Sequence, residues 1–195
     1  MIAAIVLAAG LSRRMGRPKL ALPWLDTTVI GRVVNVLNEA GVADIVVVTG
    51  GARQEVEQAL REAPARIAFN PRFEDSEMVD SLQVGLAQLA PPVEATLVAL
   101  GDQPQIQLEV VQAVIEAFAA HPAGLVVPSY QMKRGHPWLV QRALWAEISQ
   151  LRSPETLRDF LSRHAADIYY LPVASDTILR DLDTPDDYAR EKPAG

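Results

Sequence analysis

The sequence predicts a three-layer α/β/α sandwich built on a mostly parallel, doubly wound sheet. Three observations carry this. Short continuous apolar runs recur along the 195 residues, as expected for strands covered on both faces. Segments with helical spacing separate them. Most runs end at Gly, Asn or Pro, residues that let a chain turn. Alternating strand and helix, joined by right-handed crossovers, places helices on both faces of one sheet.

The elements follow in order. Ile2 to Ala8 is a β-prone run that stops before Gly10. Thr28 to Ala40 carries Ile30, Val33, Val34 and Leu37 on one helical face, and Gly41 ends it. Ile45 to Thr49 is a second buried strand, closed by Gly50 and Gly51. Gln54 to Glu62 reads as a helix, and Arg66 to Phe69 as a short strand ended by Asn70 and Pro71. Ser81 to Leu89 is helical up to the Pro91-Pro92 break. Ala95 to Leu100 is a strand, Leu108 to Ala120 a strongly periodic helix, and Leu125 to Pro128 another strand. Arg142 to Leu151 reads as a helix. Ser153-Pro154 has the form of an N-cap followed by Pro at the first helical position, opening a helix to Arg163. Ile168 to Leu171 and Ile178 to Leu182 read as strands. Thr184-Pro185 repeats the cap-and-proline signal, with Asp186 and Asp187 in the first turn. No internal repeat or low-complexity linker interrupts the chain, so one domain over 1–195 is expected.

Composition narrows the chemistry. There is no cysteine, which excludes disulfides, thiolate zinc sites and cysteine nucleophiles. The three histidines, His121, His136 and His164, are scattered and lack helical metal-ligand spacing. A net charge of -6 argues against a nucleic-acid surface. Yet no acidic residue precedes Asp26, while Arg13, Arg14, Arg17 and Lys19 all do. One basic loop on an acidic protein suits a small, concentrated anion. No apolar run reaches the roughly 20 residues of a membrane span. The apolar Met1 to Ala9 has no basic region before it, so it reads as a strand rather than a signal. The expected location is the cytoplasm.

Five constellations are candidates for chemistry. The first runs from Leu7 through Ala8, Ala9, Gly10, Ser12, Arg13 and Arg14 to Lys19. It leaves the carboxyl end of the first strand, where open α/β sheets place ligands. Its small residues admit a ligand to the backbone, and its free amides form an anion-binding nest. Arg14 and Lys19 supply charge for a triphosphate. The spacing is neither a P-loop nor a dinucleotide fingerprint. The second is Gly101-Asp102-Gln103-Pro104, also at a strand end. A carboxylate there suits Mg²⁺, which takes one or two carboxylates plus phosphate oxygens; a turn-forming Asp is the plainer explanation. The third is Asp181 to Asp187. Asp181 and Asp183, two apart on a strand, share a face, and either one completes a metal site, with Asp183 preferred. The fourth is Arg134-Gly135-His136-Pro137, where Gly135 allows a tight turn and Arg134 and His136 suit an anionic second substrate; a histidine with a purely structural place in the turn is the alternative. The fifth is Glu77 to Leu82, where Ser81 contacts a phosphate at a helix N-terminus or simply caps the helix.

Taken in order, these segments resemble the MobA-like nucleotidyltransferases, and within them the cytidylyltransferase branch. The resemblance implies the fold of the nucleotide-diphospho-sugar transferases, with a nucleotide-binding half over about 1–105 and an acceptor-binding half over about 106–195. It implies transfer of CMP from CTP to molybdopterin, with guanylyl transfer from GTP or another phosphorylated acceptor as the alternative. It places phosphate binding on Gly10, Arg14 and Lys19, Mg²⁺ on Asp102 with Asp183 or Asp181, and the acceptor at Arg134, Gly135 and His136. A partner enzyme that receives the product is also implied. The branch has Gly-Met-Ser-Ser-Ser-Leu where this chain has Glu77-Met78-Val79-Asp80-Ser81-Leu82. Asp80 there either repels a phosphate, recognises an amino group or caps the helix. Two rival classes share part of this pattern. A dinucleotide oxidoreductase needs an acid ending its second strand, but this one ends Val48-Thr49-Gly50. A non-catalytic nucleotide-binding regulator has no need of Asp102 and Asp183.

Overall fold

The structure is a computed structural model that describes residues 1–75, 77–121 and 123–193. Its strands are β1 (Ile2–Ala8), β2 (Pro23–Trp24), β3 (Thr27–Thr28), β4 (Asp44–Thr49), β5 (Arg66–Phe69), β6 (Ala95–Leu100), β7 (Leu125–Tyr130), β8 (Lys133–Arg134), β9 (Trp138–Gln141) and β10 (Ile168–Pro172). Its α-helices are α1 (Val29–Glu39), α2 (Arg53–Ala59), α3 (Met78–Leu86), α4 (Leu108–Ala120), α5 (Trp145–Gln150), α6 (Leu157–Arg163) and α7 (Pro185–Glu191).

One sheet runs in the order β10-β7-β9-β6-β1-β4-β5, with β8 added on β7. β1 pairs parallel with β4 and β6, β4 with β5, and β7 with β10. β9 runs antiparallel between β6 and β7. Every other strand on this path therefore points the same way, and their carboxyl ends share one edge. β2 and β3 form a separate small hairpin.

Alternation along the central strand makes the three layers. Ala4, Val6 and Ala8 face a core with α1 residues Val33, Val34 and Leu37, α4 residues Val111 and Val114, and Val56 of α2. Ala3, Ile5 and Leu7 face the opposite core with Leu82 of α3, Ile148 of α5 and Phe160 of α6. Leu82 and Leu97 are fully buried, so truncating either to Ala costs about 2–5 kcal/mol.

Several element boundaries differ from the sequence reading: the helix expected over 54–62 spans Arg53–Ala59, and the one expected over 142–151 is a 3-10 turn followed by α5. The helix expected from Ser81 starts at Met78, because Glu77 and Asp80 form a reciprocal capping box. The helix expected after Ser153-Pro154 starts at Leu157, where Thr156 and Asp159 cap reciprocally. The strand expected over 178–182 does not form. Asp176–Leu179 is a 3-10 turn capped by the Ser175 hydroxyl. The carbonyl of Ile178 accepts from the His136 amide at 3.0 Å and from Gln103 Nε2 at 3.5 Å, so it is not available to a sheet edge. The antiparallel β8 and β9 were not anticipated.

Candidate active site

The site lies beyond the shared carboxyl edge. The chain leaves β1 into a loop in which Ser12 adopts a left-handed backbone, φ 50°. Its carbonyl accepts from the amides of Met15 at 3.1 Å and Gly16 at 3.2 Å. This turn folds the loop back, and Lys19 opens a short 3-10 helix, Lys19–Ala21. Gly101 then joins β6 to β1: its amide donates to the Leu7 carbonyl at 2.9 Å. A Cβ on Gly101 would lie 2.9 Å from Ile30 Cδ1 and 3.3 Å from Ala8 Cβ. Only glycine lets the strand ends approach this closely, and that approach sets Asp102 beside the loop.

Lys19 is the centre of the charge cluster. Its ammonium donates to Asp102 Oδ2 at 2.5 Å and to Asp183 Oδ1 at 3.2 Å. Arg14 Nη2 reaches the other oxygen of Asp183 at 2.9 Å. The Lys19 side chain is only 11% exposed. Burial works to lower its pKa, but the Asp102 and Asp183 carboxylates outweigh burial and hold it above the ordinary lysine value. A cavity of about 420 Å³ opens over this cluster, lined by Leu7, Ala8, Gly10, Ser12, Arg13, Arg14, Lys19, Asp102 and Asp183. The loop residues expected to bind the nucleotide line it, except Ala9; Met15, Gly16, Arg17 and Pro18 of the same loop do not. Ala9 turns away, because its carbonyl packs where a Cβ on Gly50 would stand. Arg17 lies over the Tyr188 ring at 5.8 Å from its centroid.

Asp102 Oδ2 and Asp183 Oδ1 converge on one positive charge. Two hard oxygen donors aimed at a common point are of the kind that a divalent cation takes, with its remaining positions left to other oxygen ligands. No cage of three or more ligating side chains occurs among the described residues. Asp181, expected as an alternative to Asp183, accepts at Oδ1 from Gln103 Nε2 at 2.7 Å; it makes no ion pair with Lys19 among the described residues, although Asp102, Asp183 and Lys19 all lie near enough to act on its charge. Burial, then the neighbouring Asp102 charge, pushes the Asp181 carboxyl above its usual range.

Beside this cluster, Arg134, Gly135 and His136 line a second, larger cavity of about 1070 Å³ with Trp138, Leu157 and Arg158. Gly135 has no positive φ among the described backbone exceptions; it is needed because a Cβ would stand 2.6 Å from Ile178. Arg134 is aimed by Tyr170, whose hydroxyl accepts from Nη2 at 2.7 Å and Nε at 3.2 Å. His136 differs from the expectation of a cationic partner. Burial lowers its pKa to about 4, so the ring is neutral near pH 7 and offers hydrogen bonds rather than charge.

The Glu77–Leu82 segment also departs from expectation. Ser81 lines neither cavity; its hydroxyl is buried and accepts from Asn70 Nδ2 at 3.1 Å. Asp80 caps α3, accepting from the Glu77 amide at 2.9 Å, and pairs with Arg72. Sequence reading missed three residues of the first cavity, Leu20, Phe73 and Glu74. Phe73 and Glu74 follow the carboxyl end of β5, so the strand-end rule applied there would have found them.

Fold and site together define a class: α/β proteins that hold nucleotide phosphates beyond the carboxyl edge of a parallel sheet. The MobA-like NTP transferase domain model matches residues 4–168, and the chain belongs to that family. It is a nucleotidyltransferase. It is 28% identical over 190 residues to the molybdenum cofactor cytidylyltransferase of Escherichia coli (strain K12), covering 96% of this chain and 94% of the relative. The crystal structure of Rv0371C of Mycobacterium tuberculosis H37Rv in complex with manganese matches with TM-score 0.82 and 29% identity, covering 98% of this chain and 97% of that one. A nucleotidyl transferase from Methanothermobacter matches with TM-score 0.83 and 26% identity, covering 98% and 96%. Among the described residues, no helix is long and apolar enough to cross a membrane.

Proposed function

We propose that this chain transfers CMP from CTP to a phosphorylated acceptor of the molybdopterin kind, releasing pyrophosphate. The observation that carries this is the convergence of Lys19, Arg14, Asp102 and Asp183 on the cavity at the end of β1. Its lining joins a cationic loop to two carboxylates, the pairing that a metal-bound triphosphate requires. The cytidylyltransferase relative supports the choice of CTP and of molybdopterin.

An oxygen of the acceptor phosphate attacks the α-phosphorus. The bond from that phosphorus to the β-bridging oxygen breaks, and pyrophosphate leaves with the electron pair. The acceptor phosphate is already ionised near neutral pH, so no strong base is needed, which suits a site without a Ser-His or Cys-His pair. Lys19 and Arg14 neutralise the β and γ phosphates and assist departure. Arg134, aimed by Tyr170, and the neutral His136 orient the acceptor from the adjoining cavity. Asp102 and Asp183 would hold a Mg²⁺ ion, which would supply neutralisation of charge on the phosphate oxygens; the manganese in the Mycobacterium tuberculosis relative supports a divalent cation here.

The test is pyrophosphate release from each of the four nucleoside triphosphates, with and without Mg²⁺ and with candidate acceptors. The expected result is Mg²⁺-dependent release from CTP that requires the acceptor. Preference for GTP overturns the nucleotide assignment. Binding without release under every condition identifies a regulator instead of an enzyme of this reaction.

A further inference from the structure

We infer that Gln103, acting through Asp181, is a positioning residue that sets Asp183 opposite Asp102. Asp181 is then the anchor of this clamp and not a ligand of the cation. The inference rests on the nucleotidyl-transfer reading above.

Gln103 follows Asp102 directly and is buried, 4% exposed. Its side-chain nitrogen donates to Asp181 Oδ1 at 2.7 Å and to the Ile178 carbonyl at 3.5 Å. One amide nitrogen thus holds both ends of the 178–181 segment. That segment belongs to no strand, so the burial of Ile178 and Leu182 and a few bonds fix where it lies. The others are the Leu182 amide donating to the Asp102 carbonyl at 3.0 Å, the His136 amide on Ile178, and the Arg180 pairs with Asp176 and Glu191. Every bond from the β6 end to this segment comes from Asp102 or Gln103. The same two residues that present the first carboxylate therefore register the second.

The division of labour is visible in the partners. Asp183 spends both oxygens on Lys19 and Arg14. Among the described residues Lys19 has no ion pair with Asp181. A buried amide that loses its acceptor keeps an unmet donor, so the clamp holds itself closed. Ile178 extends it: its carbonyl also carries the amide of His136, so the acceptor turn and the Asp183 segment share one anchor point.

The experiment uses the full chain with Asp181→Ala, Asp181→Asn, Gln103→Glu and the double variant Gln103→Glu/Asp181→Asn. Three quantities are read: kcat, KM for the triphosphate, and Mn²⁺ affinity by electron paramagnetic resonance with that triphosphate present. Asp181→Ala should lower Mn²⁺ affinity and kcat about tenfold, the scale of losing a charge-assisted hydrogen bond. Its KM for the triphosphate should move less than about threefold, because Lys19 and Arg14 remain in place. Asp181→Asn keeps the acceptor oxygen and should recover most of that loss. Gln103→Glu should behave like Asp181→Ala, since two carboxylates then face each other. The double variant restores a donor and acceptor with unchanged net charge, and should recover. The inference is overturned if Asp181→Asn is as impaired as Asp181→Ala, which makes Asp181 a ligand. It is equally overturned if Gln103→Glu matches the wild type, or if activity falls only with melting temperature while Mn²⁺ affinity stays constant. Failure of the transfer reading looks different: the wild type itself then releases no pyrophosphate.

Discussion

Lys19→Met removes the ammonium between Asp102 and Asp183 but keeps an apolar stem of similar length. The two carboxylates then face one another without a cation. Breaking a fully buried pair costs about 3–5 kcal/mol and an exposed one about 0–1 kcal/mol. Here the side chains are 11%, 21% and 32% exposed, so the loss should be about 2 kcal/mol, between those limits. For a domain of this length that lowers Tm by about 4–8 °C. Mg²⁺ should reverse the drop, because a divalent ion takes the place of the missing charge. At about 100 times its Kd a ligand that binds only the folded state adds about 2.7 kcal/mol. The wild type should gain less, since its own ammonium competes for the same oxygens. The assay is a melting scan with and without MgCl₂, against NaCl at matched ionic strength. An unchanged Tm, or a drop that Mg²⁺ reverses no better than NaCl, refutes the assignment of this cluster as a cation site. Turnover should stay low in the variant with Mg²⁺ present, because the triphosphate still lacks its lysine.

Three further outcomes are expected. Asp102→Asn should abolish pyrophosphate release while leaving the circular dichroism spectrum and the two cavities intact; full activity would sink the carboxylate's role. Asp80→Ala should cost about 1 kcal/mol, the typical value of a helix cap, with an unchanged nucleotide preference, and a shifted preference would return Asp80 to the binding surface. His136, held near 4 by burial against an ordinary 6.5, binds fewer protons folded than unfolded between those values. Its stability contribution is full above the unfolded pKa and is lost as pH falls through the folded one. His136→Gln should therefore flatten the rise of Tm with pH over that window, and an unaltered slope would refute the burial argument.

Much of this was legible in the sequence, for identifiable reasons. Ile2–Ala8, Ala95–Leu100 and Leu108–Ala120 form as read, because long unbroken apolar runs and strong periodicity leave no competing pattern. The β7–β8 hairpin was hidden. Its turn uses positive φ at Gln131 and Met132, 48° and 64°, without the Asn-Gly signal that such turns usually carry. Ile178 to Leu182 alternates like a strand, yet its bonds go to Gln103, His136 and Asp102, partners that only tertiary structure supplies. At Ser153 a cap-proline signal competed with the Thr156–Asp159 box, and the box prevailed. In the site, Arg14, Lys19, Asp102 and Asp183 stood out because charge and strand-end position coincide. Phe73 and Glu74 did not, since the turn after the four-residue β5 carries no charge pattern and only its strand-end position marks it. The placement of Ser81 and Asp181 depended on neighbours remote in sequence, Asn70 and Gln103.

The reversed strand β9 has an evolutionary consequence. A parallel strand contributes to the reactive edge once, at its carboxyl end, and the chain must then cross the whole layer before contributing again. β9 enters at that edge, with Trp138 opposite Val98 near the end of β6. Residues 132–136 and Trp138 therefore stay beside the second cavity as one wall, capped by the exposed tip at Met132. Insertions at that tip would reshape the second cavity while the register of β6 and the first cavity remain untouched. Under the proposed function the recipient recess is free to vary at its tip, while its base at Gly135–His136 stays tied through Ile178 to the segment that carries Asp183.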